Sequence, residues 1–140
     1  MITSNAGWDC IKNQSFLSEV VSEFKKSGIR TSIFLDPNLE QVEAAKATGI
    51  DRIELYTEAF AKGYTQKNYN CVESYIECAR LANEYGLGLN AGHDLSLKNI
   101  KFFKENISNL LEVSIGHALI SESLYLGIEN VINMYKYRLK

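Results

Sequence analysis

Leu87-Gly-Leu-Asn-Ala-Gly-His-Asp-Leu-Ser-Leu-Lys-Asn-Ile100 is the stretch on which the fold turns. Leu87 to Ala91 is a short, mostly apolar run that follows Gly86 and runs into Gly92-His93-Asp94. Such a run, bounded by turn residues, reads as a buried strand with a polar exit. A helix is predicted over Leu97 to Asn106, with Ile100, Phe103 and Ile107 on one side. Strand, polar turn and covering helix make one βα unit. The order recurs at once. Leu111-Glu-Val-Ser-Ile115 is a strand that runs into Gly116-His117, and a final helix shows the stripe Leu124, Ile128, Val131, Ile132 and Tyr135.

Toward the N-terminus two more units precede these. Arg52-Ile-Glu-Leu-Tyr-Thr57 reads as a strand, followed by a loop rich in Gly, Lys and Tyr and a helix near Asn70 to Tyr85. Val72, Tyr75, Ile76, Ala79 and Ala82 give that helix its apolar side. Arg30-Thr-Ser-Ile-Phe-Leu-Asp36 is the earliest strand; Pro37 cannot continue an inner strand. Asn38 with Gln41 predicts a capping box for a helix from Leu39 to Thr48, closed at Gly49. Ahead of it, Phe16, Leu17, Val20, Val21 and Phe24 mark a helix that ends at Gly28.

Four βα units in series predict a parallel sheet covered by helices. No G-x-G-x-x-G follows a strand, which disfavours a dinucleotide fold. Polar residues gather at the strand exits instead: Asp36, Glu54, Thr57, His93, Asp94 and His117. Active sites of β/α barrels are built at that end. A full barrel takes eight strands and about 250 residues. This chain of 140 residues supplies four and opens on a helix with no strand before it. The expectation is therefore a single domain over residues 1–140, the C-terminal half of a (β/α)8 barrel with strands five to eight.

Composition narrows the function class. The chain is 46% hydrophobic and 23% charged with a net charge of -2, so no basic excess points to nucleic acid. No apolar run reaches the roughly 18 residues needed to cross a bilayer. Met1 to Gln14 shows no secretory pattern, and a cytoplasmic protein is expected. Cys10, Cys71 and Cys78 form no C-x-x-C pair, so reduced thiols are expected rather than a disulfide or metal framework.

His93 and His117 are the only histidines, and each follows a glycine at a strand exit. Glycine allows a sharp turn and close ligand approach; histidine exchanges protons near neutral pH. Glu54 lies between Ile53 and Leu55 and should face away from them, toward a barrel interior. A carboxylate there suits proton transfer or stabilisation of positive charge. Gly116-His117-Ala118, with Ser121 and Ser123 following, fits a phosphate site at a helix N-terminus or an ordinary βα turn with serine caps. Asp36 reads as turn chemistry in Asp36-Pro37-Asn38.

Four segments carry a family resemblance: Gly28-Ile-Arg-Thr-Ser-Ile-Phe-Leu-Asp36, Ile53-Glu-Leu-Tyr-Thr57, Leu89-Asn-Ala-Gly-His-Asp-Leu95 and Ser114-Ile-Gly-His-Ala-Leu-Ile120. In order and spacing the chain resembles the C-terminal part of the pyridoxine 5′-phosphate synthase family of vitamin B6 biosynthesis. The resemblance implies a (β/α)8 barrel, a homo-octamer and a need for no metal or organic cofactor. It implies condensation of 1-deoxy-D-xylulose 5-phosphate with 3-amino-2-oxopropyl phosphate to pyridoxine 5′-phosphate, phosphate and water. His93 would be a general acid in ring formation and Glu54 a stabiliser of the transition state. Gly116, His117 and Asp94 would hold the phosphate of the amino ketone, and Thr3 that of the deoxyxylulose substrate. Asp94 departs from the glycine common at its position. The family's first four strands, with their catalytic bases, have no counterpart here, so the isolated chain is expected to be inactive. Two other readings stay open: a half-barrel binding module that pairs with itself or a separate first half, and another phosphosugar barrel enzyme such as an epimerase or isomerase.

Overall fold

A computed structural model describes residues 5–140. Helix α1 (Gln14–Lys26) leads into β1 (Ser32–Leu35), α2 (Leu39–Ala47), β2 (Arg52–Tyr56), α3 (Glu58–Thr65) and a 3-10 turn (Tyr69–Val72). Then come α4 (Glu73–Glu84), β3 (Gly88–Gly92), α5 (Ile100–Asn106), β4 (Leu110–Ser114), α6 (His117–Leu126) and α7 (Ile128–Arg138). The four strands form one parallel sheet in the order β1-β2-β3-β4. All four predicted strands are present, within two residues of their predicted limits. The fold is α/β.

Alternation along the strands sorts the two faces of the sheet. Ile33, Leu35, Ile53, Leu55, Leu89 and Ala91 are buried on the helix side. Val42 and Ala45 of α2, and Tyr75, Cys78, Ala79 and Ala82 of α4, pack in the same core. Phe60, Tyr75 and Phe103 interlock there, with ring centroids 4.8 Å apart for Phe60–Phe103 and 5.5 Å for Tyr75–Phe103. The other face is polar. Arg52 Nη1 lies 2.8 Å from Glu112 Oε1, and Asn90 Nδ2 donates to Glu112 Oε2 at 3.1 Å. Arg30, just before β1, also reaches Glu112 of β4 at 3.3 Å. One ion pair thus spans the sheet from the segment before β1 to β4. On its outer edge β1 accepts a bond from Trp8 N at Phe34 O, 2.8 Å, and Gly7 N donates to Asp36 Oδ2 at 3.1 Å. Asp36 is thus a structural residue, as its turn sequence indicates.

Four local expectations are corrected. The stretch after β2 is not a loop: α3 forms there, tied by the Lys62–Glu58 ion pair at 2.5 Å and by burial of Phe60. Gly63, which suggested a loop, sits where the side chain of Cys71 packs against the helix. The final helix is two helices. Gly127 at φ +79° breaks the stripe, so Leu124 and Ile128 are exposed while Val131 and Tyr135 are buried with Leu97 and Ile100. The capping box is half made: Asn38 Oδ1 accepts from Gln41 N at 3.2 Å, but the Gln41 side chain turns to Cys10 N at 2.7 Å. Finally, α5 starts at Ile100 rather than Leu97, because Asn99 Oδ1 accepts from Ser96 N at 2.9 Å and holds a turn ahead of it.

Candidate active site

Glu54 stands on the polar face between buried Ile53 and Leu55, as alternation requires. Its carboxylate lies across Gly92 of the neighbouring strand. A Cβ at Gly92 would collide with Glu54 Oε1 and would lie 2.9 Å from the Cβ of Ser114. Only glycine lets these two side chains meet over the end of β3.

Beyond Gly92 the chain turns in an unusual way. His93 (φ +76°) and Asp94 (φ +55°) are consecutive non-glycine residues in the left-handed region. Each costs about 1–3 kcal/mol, and such backbone persists only where its surroundings hold it. Here three carbonyls in a row are held. Thr57, fully buried, donates its hydroxyl to Gly92 O at 2.8 Å and also contacts His93 O. Asn99, also buried, donates Nδ2 to Asp94 O at 3.2 Å. His93 N reaches Ser114 O at 3.4 Å. The histidine is thereby presented on a fixed turn.

The imidazole of His93 meets Asp94 and Tyr56. Asp94 Oδ2 lies 3.0 Å from Nδ1, and the Tyr56 ring meets the imidazole edge-on with centroids 4.9 Å apart. Tyr56 is itself anchored: its hydroxyl donates to Glu58 Oε2 at 2.6 Å. That bond to the Glu58 carboxylate, with desolvation, pushes the Tyr56 phenol up to about 12. Lys62 and then Tyr56 hold the Glu58 carboxyl below its ordinary value.

On the next strand, β4 ends at Ser114, and Gly116 caps α6, which starts at His117. The first bond within α6 runs from Ile120 N to Gly116 O at 3.2 Å. The amides of His117, Ala118 and Leu119 precede that bond, the usual orphan donors of a helix start. Together with the helix dipole they favour an anion. Ser121 and Ser123 are not caps: both lie inside α6, and Ser123 Oγ donates back to Leu119 O at 2.6 Å.

Glu54, His93, Asp94, Ser114, Ile115, Gly116 and His117 line one cleft of about 720 Å³. Five of the six sequence-predicted site residues thus come together; the sixth, Thr3, lies outside the described residues. The arrangement offers a carboxylate, an imidazole and an anion-favouring helix start around one cleft. Such a set can move protons beside a phosphorylated substrate. Among the described residues no group of three or more His, Cys, Asp or Glu is placed to hold a metal. Sequence reasoning missed Tyr56, Asn99 and Ser114, and noted Thr57 only as polar. The available signal was the Ser96-x-x-Asn99 pattern of a side-chain turn; nothing local marks the other three.

Comparison with known proteins extends over the whole chain. The family profile described as "Pyridoxal phosphate biosynthesis protein PdxJ" matches residues 1–140. A pyridoxine 5′-phosphate synthase of Flavobacterium johnsoniae is 68% identical over 139 residues, 99% of this chain and 59% of that protein. Proteins of the same description from Christiangramia forsetii and Cytophaga hutchinsonii are 60% and 54% identical, each over 99% of this chain and over 59% and 58% of their own length. The chain thus spans about 59% of the length of the curated relatives it matches.

Proposed function

The chain belongs to the PdxJ family of pyridoxal phosphate biosynthesis proteins, and on that premise we propose that it supplies one side of a pyridoxine 5′-phosphate synthase site. Residues 1–140 act as one domain, the C-terminal half of a (β/α)8 barrel. The complete site joins 1-deoxy-D-xylulose 5-phosphate to 3-amino-2-oxopropyl phosphate, giving pyridoxine 5′-phosphate, phosphate and water. His93 donates a proton in the ring-forming steps, and Glu54 stabilises positive charge in the transition state. Gly116 and His117 hold the amino-ketone phosphate at the start of α6. Asp94 can add only its backbone N–H, because its carboxylate faces His93 Nδ1. Thr3 is assigned to the other phosphate by resemblance alone. The working protein is a homo-octamer of the cytoplasm that uses no metal or organic cofactor.

The observation that carries this reading is the single cleft into which Glu54, His93, Gly116 and His117 converge. The parallel strand order β1-β2-β3-β4, with helices packed on one face of the sheet, supports the barrel reading. No helix is long and apolar enough to cross a membrane among the described residues.

The test supplies both substrates to the purified chain and to the full-length Flavobacterium johnsoniae relative. The relative is assayed unchanged and with His93→Ala or Glu54→Gln at the matching positions. Product formation in the unchanged relative should fall by about 10²-fold or more without the histidine, the usual worth of a positioned general acid. The isolated chain should form none. Undiminished turnover in the His93→Ala variant would overturn the proton-donor assignment. Turnover by the chain at the relative's rate would overturn its dependence on further residues.

A further inference from the structure

We propose that Glu112 is a positioning residue for Glu54: it draws the Arg52 guanidinium across β3 into an ion pair on β4, and so keeps that guanidinium from pairing with the cleft carboxylate further along its own strand. The inference rests on the reading of Glu54 as the carboxylate that stabilises positive charge, and adds how that carboxylate is kept available.

Alternate residues of a strand point to the same face, so Arg52 and Glu54 are natural partners on β2. A guanidinium beside a carboxylate ordinarily forms a charge-assisted pair. Among the described residues Arg52 makes that pair with Glu112, at 2.8 Å, and not with Glu54. Two glycines of β3 let both side chains of β2 lean toward β4. Arg52 crosses Gly88, its register partner: a Cβ there would lie 2.6 Å from Arg52 Cγ and 3.1 Å from its Cδ and Nε. Glu54 leans over Gly92, nearer the strand exit, toward Ser114. The two charges thus leave β2 on separate tracks.

Asn90 locks the arrangement. It is 6% exposed and stands between Glu54 and Glu112 in the register of the sheet. Its Oδ1 accepts from Arg52 Nη1 at 3.3 Å, and its Nδ2 donates to Glu112 Oε2 at 3.1 Å. Both ends of a buried amide are therefore spent on holding the guanidinium and its carboxylate together. The Arg52 side chain is 18% exposed, so its charge is poorly screened by water and is answered by Glu112 instead. Without the Glu112 charge the field of the guanidinium would fall on Glu54, and a rotation about the arginine stem would bring the group itself there. A carboxylate so paired has less to offer a positive charge that develops in the cleft. The charged or titratable groups around Glu54 are Arg52 and Tyr56 on β2, His93 and Asp94 beyond β3, Glu112 on β4 and His117 on α6; β1 presents Phe34 at its level.

The test is ¹³C-detected NMR of the glutamate carboxyl groups in the 140-residue chain, without substrate, with Glu54→Gln identifying the Glu54 signal. In Glu112→Gln the Glu54 carboxyl should titrate at a pH lower by about 1 than in the unsubstituted chain, as expected of a cation left beside it. Adding Arg52→Met to Glu112→Gln should bring the titration most of the way back, because the two charges are then removed together. Gly88→Ala should also lower it, since the added Cβ blocks the path of Arg52 while Glu112 is intact. That variant carries the test if Glu112→Gln does not fold, and dispersed amide signals from β2 and β4 report folding in each. An unshifted Glu54 titration in the folded Glu112→Gln chain, or a fall that persists in full once Arg52 is also replaced, would overturn the proposal. A merely structural loss would not be rescued by removing a second side chain. Because no turnover is read, this outcome is separate from whether Glu54→Gln slows the full-length relative.

Discussion

Helices α4 and α6 belong to the second and fourth βα units, and they are held in opposite ways. In α4, Tyr75, Cys78, Ala79 and Ala82 are buried; α6 has no buried residue. Apolar content would rank them the other way, since Leu119, Ile120, Leu124, Tyr125 and Leu126 crowd into ten residues of α6. The difference is position. The helix α4 lies over the central strands and packs against Phe60 and Phe103 from two sides. The helix α6 follows the edge strand β4 and is tied down by polar contacts. Glu122 Oε2 accepts from the Tyr135 hydroxyl at 2.6 Å, and Glu122 Oε1 accepts from Leu97 N at 3.3 Å. Burial thus depends on what an element faces, and apolar residues alone do not secure it. The cleft spans both regimes: Glu54 and His93 stand on the sealed core, Gly116 and His117 on the lightly packed edge.

The sharpest way to break this contrast is a matched pair of truncations. Phe60→Ala removes a fully buried ring from the aromatic cluster and should cost about 3–5 kcal/mol. Leu124→Ala acts on a side chain 81% exposed and should stay within about 0.5 kcal/mol. Urea unfolding of both variants measures the difference; similar losses would show that α6 is packed after all. Next in size is Thr57→Val, which keeps the shape and removes the hydroxyl that holds the carbonyls of Gly92 and His93. A buried carbonyl left without its donor costs about 1–3 kcal/mol. Amide exchange at residues 93–95 should rise more than the global loss explains. Exchange that stays unchanged there would mean the turn is held without Thr57.

The same contrast sets how much could be read from the sequence. The central units were legible, because alternation in Ile53-Glu54-Leu55 and the Gly-His exits are local signals that the core enforces. Glu54 and His93 could be placed at the cleft for that reason, whereas Gly116 and His117 were legible from their Gly-His step although they stand on the edge. The helix α3 was hidden by Gly63, whose role is to admit Cys71 from the following turn. The break at Gly127 was hidden by an apolar stripe that runs straight through it. Thr57 and Asn99 were not legible as builders of the turn. Thr57 contacts a carbonyl 36 positions away, and no local pattern announces such a bond.

A smaller effect is expected at the seam between the two last helices. Tyr135→Phe removes the hydroxyl that meets Glu122 and should cost roughly 1 kcal/mol. Its value as a probe lies in where the loss is felt. Faster amide exchange should be confined to α6, α7 and the segment near Leu97, with β2 and β3 unaffected. Exchange that quickens across the whole sheet would make the edge and the core one cooperative unit and so dissolve the distinction.

The smallest effect concerns the polar face and depends on pH. Partial desolvation pushes the Glu112 carboxyl up, but the Arg30 and Arg52 guanidiniums outweigh it and hold it below its ordinary value. A depressed carboxyl stabilises the fold at pH values above its unfolded value of 4.5, and that contribution fades as pH falls through the folded value. The unsubstituted chain should therefore exceed Glu112→Gln in urea midpoint at pH 7, and the gap should shrink as pH falls below 4.5 and through the lower folded value. Some acid sensitivity must survive in the variant. Asp51, held low first by the Thr31 backbone N–H and also by Lys25, obeys the same sign. Arg30→Met should move the midpoint less than Glu112→Gln, because Arg52 still meets the carboxylate at 2.8 Å and Arg30 is half exposed. A constant gap from pH 7 to pH 3 would show that Glu112 acts by packing, and β4 would then be joined to the core by something other than the charges that cross the sheet.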